Sequence, residues 1–442
     1  MSVPARPART WARLALGATL AVAAHGVLSA QQQQPPLTFR SQTELVAVDV
    51  QVIDRIGQPI AGLTNGDFQV SINGRPRKVL SADLVTYPIQ AARRAALMAS
   101  VGATQPGALT GIVPNLPRDV TGRVVVLAVD EASLTLGSAR QAMNAAKKFV
   151  KGLSDEDVVG VYAFPFGPPK LDLLHDHFAI QLKLDKVTGR FTRPAASYNL
   201  TLSEVVDITA GDQNALDAAV ARECNGITNA IDRAFCAKGI YLDAFTTGSY
   251  YETQYMQSMG DFRLLLEGLH TIPGRKTVVF ISGGLAVSDR PGGKPDVSQM
   301  IKGAVKAAST ADVSIYTLHI DSSLSEVFSP ANKPSVTPPS DGDFAHASVS
   351  RMFSLSRDLA TNASGLERLA GDAGGALFRD QVGAGEFAFD RILKETSAFY
   401  LLGVESTPAD RDGRVHYIHV KANAKGATIR SRTELVIPRA GK

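Results

Sequence analysis

The chain has 442 residues and 45% hydrophobic content, enough length and apolar material for two or three domains with real cores. Its formal charge of +4 is slight for that size, which argues against nucleic acid as a partner. After the first thirty residues no segment approaches membrane-spanning length.

Residues 1–30 run from a basic stretch with Arg6, Arg9 and Arg13, through apolar Leu14 to Ala24, to the small-residue end Leu28-Ser29-Ala30. This is the order of a secretory signal peptide, and the apolar run, broken by His25 and Gly26, is shorter than the roughly 18 to 20 residues a retained span needs. Cleavage is expected near Ala30, leaving a secreted or periplasmic chain. A polar segment, 31–39, follows.

Residues 40–87 read as an N-terminal β segment. Val46, Val48, Val50 and Val52 alternate with Ala47, Asp49 and Gln51, the pattern of a half-buried antiparallel strand. Phe68 to Ile72 alternates again before the Asn73-Gly74 turn, and Arg77 to Leu84 is expected to pair back as a hairpin. Residues 88–119, rich in Ala, Gly and Pro, form a linker or irregular insertion.

From residue 120 the texture becomes α/β. Val124 to Val129 is a continuous apolar run, as in a central parallel strand covered on both faces, and it delivers Asp130 to the sheet edge. Ala139, Ala142, Met143, Ala146, Phe149, Val150 and Leu153 follow at helical spacing from a cap near Ser138, and Val158 to Phe164 is the next strand. Further on come a helix over Gln257 to Leu269, a strand Thr277 to Ile281, a helix Val297 to Ala308 and a strand Val313 to Ile320. A Pro-rich loop at 329–350, helices near Gly365 to Ala373 and Glu386 to Glu395, and a strand Ala376 to Arg379 complete a domain at 120–395. Such alternation implies a doubly wound parallel sheet with right-handed crossovers. Residues 396–442 return to β texture, with strands Ala398 to Val404, Val415 to Ala422 and Thr428 to Ile437. The fold class is therefore α/β, a Rossmann-like sheet inserted between N- and C-terminal β segments that complete one small sandwich.

Cys224 and Cys236 are the only cysteines, and in an oxidising compartment an even count favours a bridge over two reduced, buried thiols.

Three parts of the chain together resemble the bacterial exported von Willebrand factor A-related proteins. Leu45 to Asp54 with Gly57, Gly62-Leu63 and Asp67-Phe68 is similar to that family's N-terminal β segment. Val125 to Asp130 and Lys276 to Gly284 sit where a von Willebrand A domain has its first and fourth strands, and Phe399 to Gly403 with Gly413 to Val420 resembles its C-terminal segment. Tyr198 to Glu204 through Cys224 is similar to a subgroup with a cysteine-bearing helical insertion, placed here at 198–256.

The resemblance implies a Mg²⁺ site built from a D-x-S-x-S loop, a second-loop Thr and a third-loop Asp, hard oxygen ligands that suit this ion. Asp130 matches the first ligand and Thr228 stands as a second-loop Thr. Ala132 and Leu134 occupy the next two ligand positions, Ser133 is out of phase, and Ser282-Gly283-Gly284 lacks the third-loop Asp. The expectation is a degenerate site with no working cofactor, Asp130 instead capping a neighbouring turn or helix start, and Mg²⁺ the ion to test.

Other chemistry is sparse. His175 and His177 flank Asp176 without a further ligand nearby, and His416 and His419 point to opposite faces of a strand. The run Asp155-Glu156-Asp157 reads as a solvated turn. Ser282 is the nearest approach to a nucleophile elbow but lacks the preceding glycine, and neither acid nor base is placed for it. Two functions follow as expectations. One is an exported, non-enzymatic, metal-independent interaction or adhesion-type module that presents the carboxyl edge of the sheet and its insertions to a protein or cell-surface partner. The alternative is a hydrolase or metal-dependent enzyme using Asp130, Glu131 and Ser282.

Overall fold

The computed structural model describes residues 45–87, 122–166, 171–321, 343–381 and 385–439, and side chains within 343–355 and 380–381 are left aside. Residues Thr43–Lys442 form one compact unit. The signal-peptide segment, the polar segment 31–39, the linker 88–119 and most of the Pro-rich loop lie outside the described residues.

The central sheet has six strands: β5 (Val124–Asp130), β6 (Val158–Phe164), β7 (Leu173–Leu174), β8 (Lys276–Ser282), β9 (Val313–Asp321) and β10 (Leu377–Gln381). Their spatial order is β10-β9-β8-β5-β6-β7, the 3-2-1-4-5-6 order of a doubly wound sheet read from the other edge. All neighbours are parallel except the short edge strand β7, which runs antiparallel to β6. Every residue of β5 is buried because helices cover both faces. Val124, Val126 and Ala128 join a core with α5 (Ala230–Leu269), α6 (Ser298–Thr310) and α7 (Asp343–Asp372). Val125, Leu127 and Val129 join the opposite core with α1 (Leu136–Gly152), α2 (His177–Leu184) and α8 (Gly385–Glu395). A fully buried Val or Leu contributes about 1.5–3 kcal/mol, so this strand anchors both cores.

Two four-stranded antiparallel sheets draw on both ends of the chain. One has the order β13-β1-β11-β4, from Thr428–Arg430, Leu45–Ile53, Ala398–Glu405 and Val79–Thr86; the other has the order β14-β12-β2-β3, from Glu434–Val436, Val415–Ala422, Phe68–Ile72 and Arg75–Arg77. Val48 and Val50 of β1 share one core with Val70, Ile72, Tyr400, Leu402, Ile418 and Val420, so neither terminal segment has a complete core alone. Buried polar contacts bind this body to the α/β sheet. Gln51 donates to the Glu395 carbonyl at 3.0 Å and accepts from Tyr316 Oη at 2.7 Å, while Glu395, fully buried, accepts from Arg391 and Arg430 at 2.7 and 2.9 Å.

Several local expectations are corrected. The strand that turns back onto β2 is the short β3 (Arg75–Arg77), not Arg77 to Leu84; β4 crosses to the other sheet and pairs with β11. The expected strand Thr428 to Ile437 splits, β13 pairing with β1 and β14 with β12. α7 begins at Asp343, so the last eight residues of the expected loop 329–350 are helical. The cap of α1 is Thr135, whose hydroxyl accepts from the Ser138 amide. The acidic run before β6 is not wholly solvated: Asp157 is 1% exposed and accepts from Arg123 Nη2 at 2.7 Å.

The largest departure is α5. The spacing predicts a helix only from Gln257, yet one helix of 40 residues runs from Ala230 to Leu269, joining the insertion to the sheet without a break. With α3 (Leu202–Thr209) and α4 (Gln213–Glu223) it builds a satellite core around Ile240, Ala244, Val205 and Val220, closed by the Cys224–Cys236 disulfide. Among the described residues no helix is long and apolar enough to cross a membrane.

Candidate functional site

β5 ends at the carboxyl edge of the sheet, where open α/β folds place ligands, and Asp130 is its last residue. The side chain does not face solvent; it is 2% exposed. Ser258 of α5 donates to Oδ1 at 2.9 Å, and Ser282 at the end of β8 lies 3.3 Å from Oδ2. Ser133 completes the cluster, its Oγ 3.0 Å from Ser282 Oγ and 3.0 Å from the Asp130 carbonyl, while accepting from the Gly283 amide at 2.8 Å. Both carboxylate oxygens are thus engaged by hydroxyls from two other elements. Burial pushes the Asp130 carboxyl up to about 6, and the hydroxyls of Ser258, Ser133 and Ser282 hold it from rising further.

The residues do not fit a hydrated divalent cation. Ala132 and Leu134, at two of the expected ligand positions, are buried and carry no oxygen. A Cβ at Gly283 would stand 2.0 Å from the Ser133 carbonyl oxygen, so the close approach of the two loops excludes any side chain, an aspartate included. Thr228 is exposed and precedes the first turn of α5, whereas Ser258 meets Asp130 twenty-eight residues along that helix; at 1.5 Å per residue the two are about 40 Å apart. Pairing Thr228 with Asp130 is therefore corrected. Among the described residues no three His, Cys, Asp or Glu side chains gather in a metal-binding arrangement.

Glu131 is also in structural use. It is 4% exposed, its Oε1 accepts from the Thr188 amide at 2.9 Å, and Oε2 lies 3.7 Å from Arg190 Nε. The 188–191 segment crosses this loop, the Arg190 and Phe191 amides donating to the carbonyls of Glu131 and Leu134. On its outer side Arg190 lies over the Phe166 ring at 5.1 Å, and both residues are about half exposed.

Ser282 is fully buried, and its Oγ also contacts the Gly284 carbonyl and amide, each at 3.1 Å. His319, level with Ser282 on the neighbouring strand, contacts the Gly283 carbonyl through Nε2 at 3.1 Å. Its Nδ1 has no hydrogen-bond partner among the described residues, and burial draws the imidazole pKa down. His175 and His177 do not pair: Asp176 caps α2, and His177 Nε2 turns to the Asp157 carbonyl. His416 is held by Asn73 and Asp412.

Three participants escape sequence reasoning. Ser133 is called out of phase by the motif, and His319 carries no local signal. Ser258 does carry one: it is a polar residue on the same face as Tyr255, Met259 and Phe262, the apolar side of the helix.

The sequence matches no family model, and no curated protein matches it. Among solved structures, the human COPII-coat protein Sec24c is similar over 72% of this chain and 44% of its own, at 6% identity and a TM-score of 0.28, a likeness too remote to bear on fold or function.

Proposed function

We propose that the chain is an exported, non-enzymatic protein-interaction module of von Willebrand A type, which meets a protein or cell-surface partner at the carboxyl edge of its sheet without a metal ion. The observation that carries this reading is the engagement of Asp130: the residue that would be the first ligand spends both oxygens tying β5 to α5 and β8. The exposed face beside it instead offers Phe166 and Arg190, an aromatic ring and a guanidinium of the kind that dominate protein interfaces. The Cys224–Cys236 bridge suits an oxidising compartment outside the cytoplasm, as the leading segment does.

Affinity capture from an extracytoplasmic fraction, with and without EDTA, tests the reading. The expected partner is retained in EDTA and lost on Phe166→Ala or Arg190→Ala. Retention that EDTA abolishes and Mg²⁺ restores contradicts it.

The enzymatic alternative has one observation in its favour, the placement of His319 level with Ser282. Against it, the Ser282 hydroxyl is fully buried and shared among Asp130, Ser133 and the Gly284 backbone.

A further inference from the structure

The sandwich and the α/β sheet bury their apolar side chains in separate clusters, and β1 crosses the seam between them with polar groups. Gln51 does so through hydrogen bonds of ordinary length to the Glu395 carbonyl and Tyr316. Asp49, two residues earlier on the same face of the strand, is bound differently. Its side chain is 9% exposed, yet Arg275 Nη1 and Arg432 Nη2 stand 3.5 and 3.6 Å from Oδ2, too far for charge-assisted hydrogen bonds. Arg275 instead lies over the Phe399 ring at 4.7 Å, and Arg432 Nη2 is drawn to Asp312 Oδ1 at 2.6 Å. One guanidinium nitrogen thus stands between a carboxyl of the sandwich and a carboxyl at the start of β9. The Asp49 and Asp312 carboxyls also hydrogen-bond to one another, which requires that one of them carry a proton.

The other charged groups around the pair do not replace that proton. Lys276, almost fully buried, turns its Nζ to the Ile272 and Gly274 carbonyls at 2.6 and 2.5 Å. Glu434 lines the same small cavity as Asp49 and Arg432, with Asp372, Lys302 and Lys306 beyond it, and the Tyr87 phenol lies near Asp49 and Arg275. Burial raises the Asp49 carboxyl above its ordinary range and the neighbouring Asp312 adds to this, against the pull of Arg275 and Arg432. A carboxyl raised by folding contributes stability that is present at low pH and is lost as pH rises through the raised value. We propose that the Asp49–Asp312 pair is a proton-operated latch between the two bodies: a shared proton holds β1 to the loop before β9, and its loss sets two carboxylates against each other and loosens the seam. The contacts placed to loosen are those beside Arg432, where the Thr433 amide donates to the Asp372 carbonyl at 3.1 Å and Ser309 Oγ to the Glu434 carbonyl at 2.8 Å. The proposal uses neither Asp130 nor Phe166, so it stands apart from the sheet-edge reading.

Amide hydrogen exchange of the full chain between about pH 4.5 and 7, corrected for the intrinsic rate at each pH, tests it. The upper limit stays below the range in which Lys276, drawn down by burial to about 8, loses its proton. The expected result is protection at residues 431–436 that falls several-fold across the window relative to β5 and β8, which report any global change. In Asp49→Asn the relative protection is expected to be level across the window. Asp312→Asn, whose amide donates to Asp49 and whose left-handed backbone asparagine tolerates, is expected to show a smaller fall than the native chain. It supplies the reading if Asp49→Asn does not fold. A native chain with no relative fall, a fall that Asp49→Asn or Asp312→Asn leaves unchanged, or a fall that Glu434→Gln alone removes would each overturn the proposal.

Discussion

Ser258 donates its hydroxyl to Asp130 at 2.9 Å, joining the middle of a 40-residue helix to the end of the central strand across 128 residues of sequence. Much of the carboxyl edge is organised by this contact. Replacing Ser258 with Ala removes a hydrogen bond to an ionisable buried group, and an expected loss of about 1.5–3 kcal/mol at neutral pH is read from urea unfolding. With that donor gone, Asp130 titrates higher still.

The same carboxyl sets a pH dependence. Asp130 titrates at about 6 in the folded chain against 3.8 for the ordinary group. Between those values the folded state binds the extra proton, so stability falls as pH rises through the window and stays lower above it. Asp130→Asn removes this slope. The expected outcome is a variant that gains about 1–3 kcal/mol on the native chain at pH 7.5 and little at pH 4, by denaturant midpoints.

The two bodies of the fold are coupled through Glu395. Removing both of its cationic partners, in the double variant Arg391→Met with Arg430→Met, leaves a buried carboxylate unpaired and is expected to cost roughly 3–5 kcal/mol. Differential scanning calorimetry should then show a lower or split transition.

The Cys224–Cys236 bridge closes a sequence separation of 12 and lies in the satellite core, away from the sheet. Changing both cysteines to Ser is expected to cost about 2–4 kcal/mol, confined to residues 213–245 in hydrogen exchange while β5 and β8 keep their protection.

Ser282 is expected to resist a fluorophosphonate probe in the folded chain, because its hydroxyl is buried and bonded on three sides. Labelling at Ser282 in the native state would revive the hydrolase reading.

The parts of this fold legible in sequence are those whose pattern is local. Val124 to Val129 reads as a doubly covered strand because its neighbours on both faces are apolar, and Leu45 to Ile53 reads as half-buried because one face alternates. The first half of α5 was not legible. Gly239 and the run Thr246-Thr247-Gly248-Ser249 weaken intrinsic helix formation, and the helix persists through packing instead. A Cβ at Gly248 would meet Lys294 Cβ at 2.8 Å, so the residue that weakens the helix also permits its packing. At the site, Asp130 was visible as the end of an apolar strand. Ser282 was visible too, at the end of the fourth strand, but the hydrogen bonds of Ser258 and Ser282 to Asp130 were not, since these residues lie 128 and 152 positions away and only the tertiary fold brings them into contact.

Calorimetric titration of the folded chain with Mg²⁺ and with Mn²⁺, beside Asp130→Asn, tests the metal-free account most directly. The account predicts no saturable binding by either ion and indistinguishable traces for the two proteins. Micromolar binding to the native chain that Asp130→Asn abolishes would contradict it.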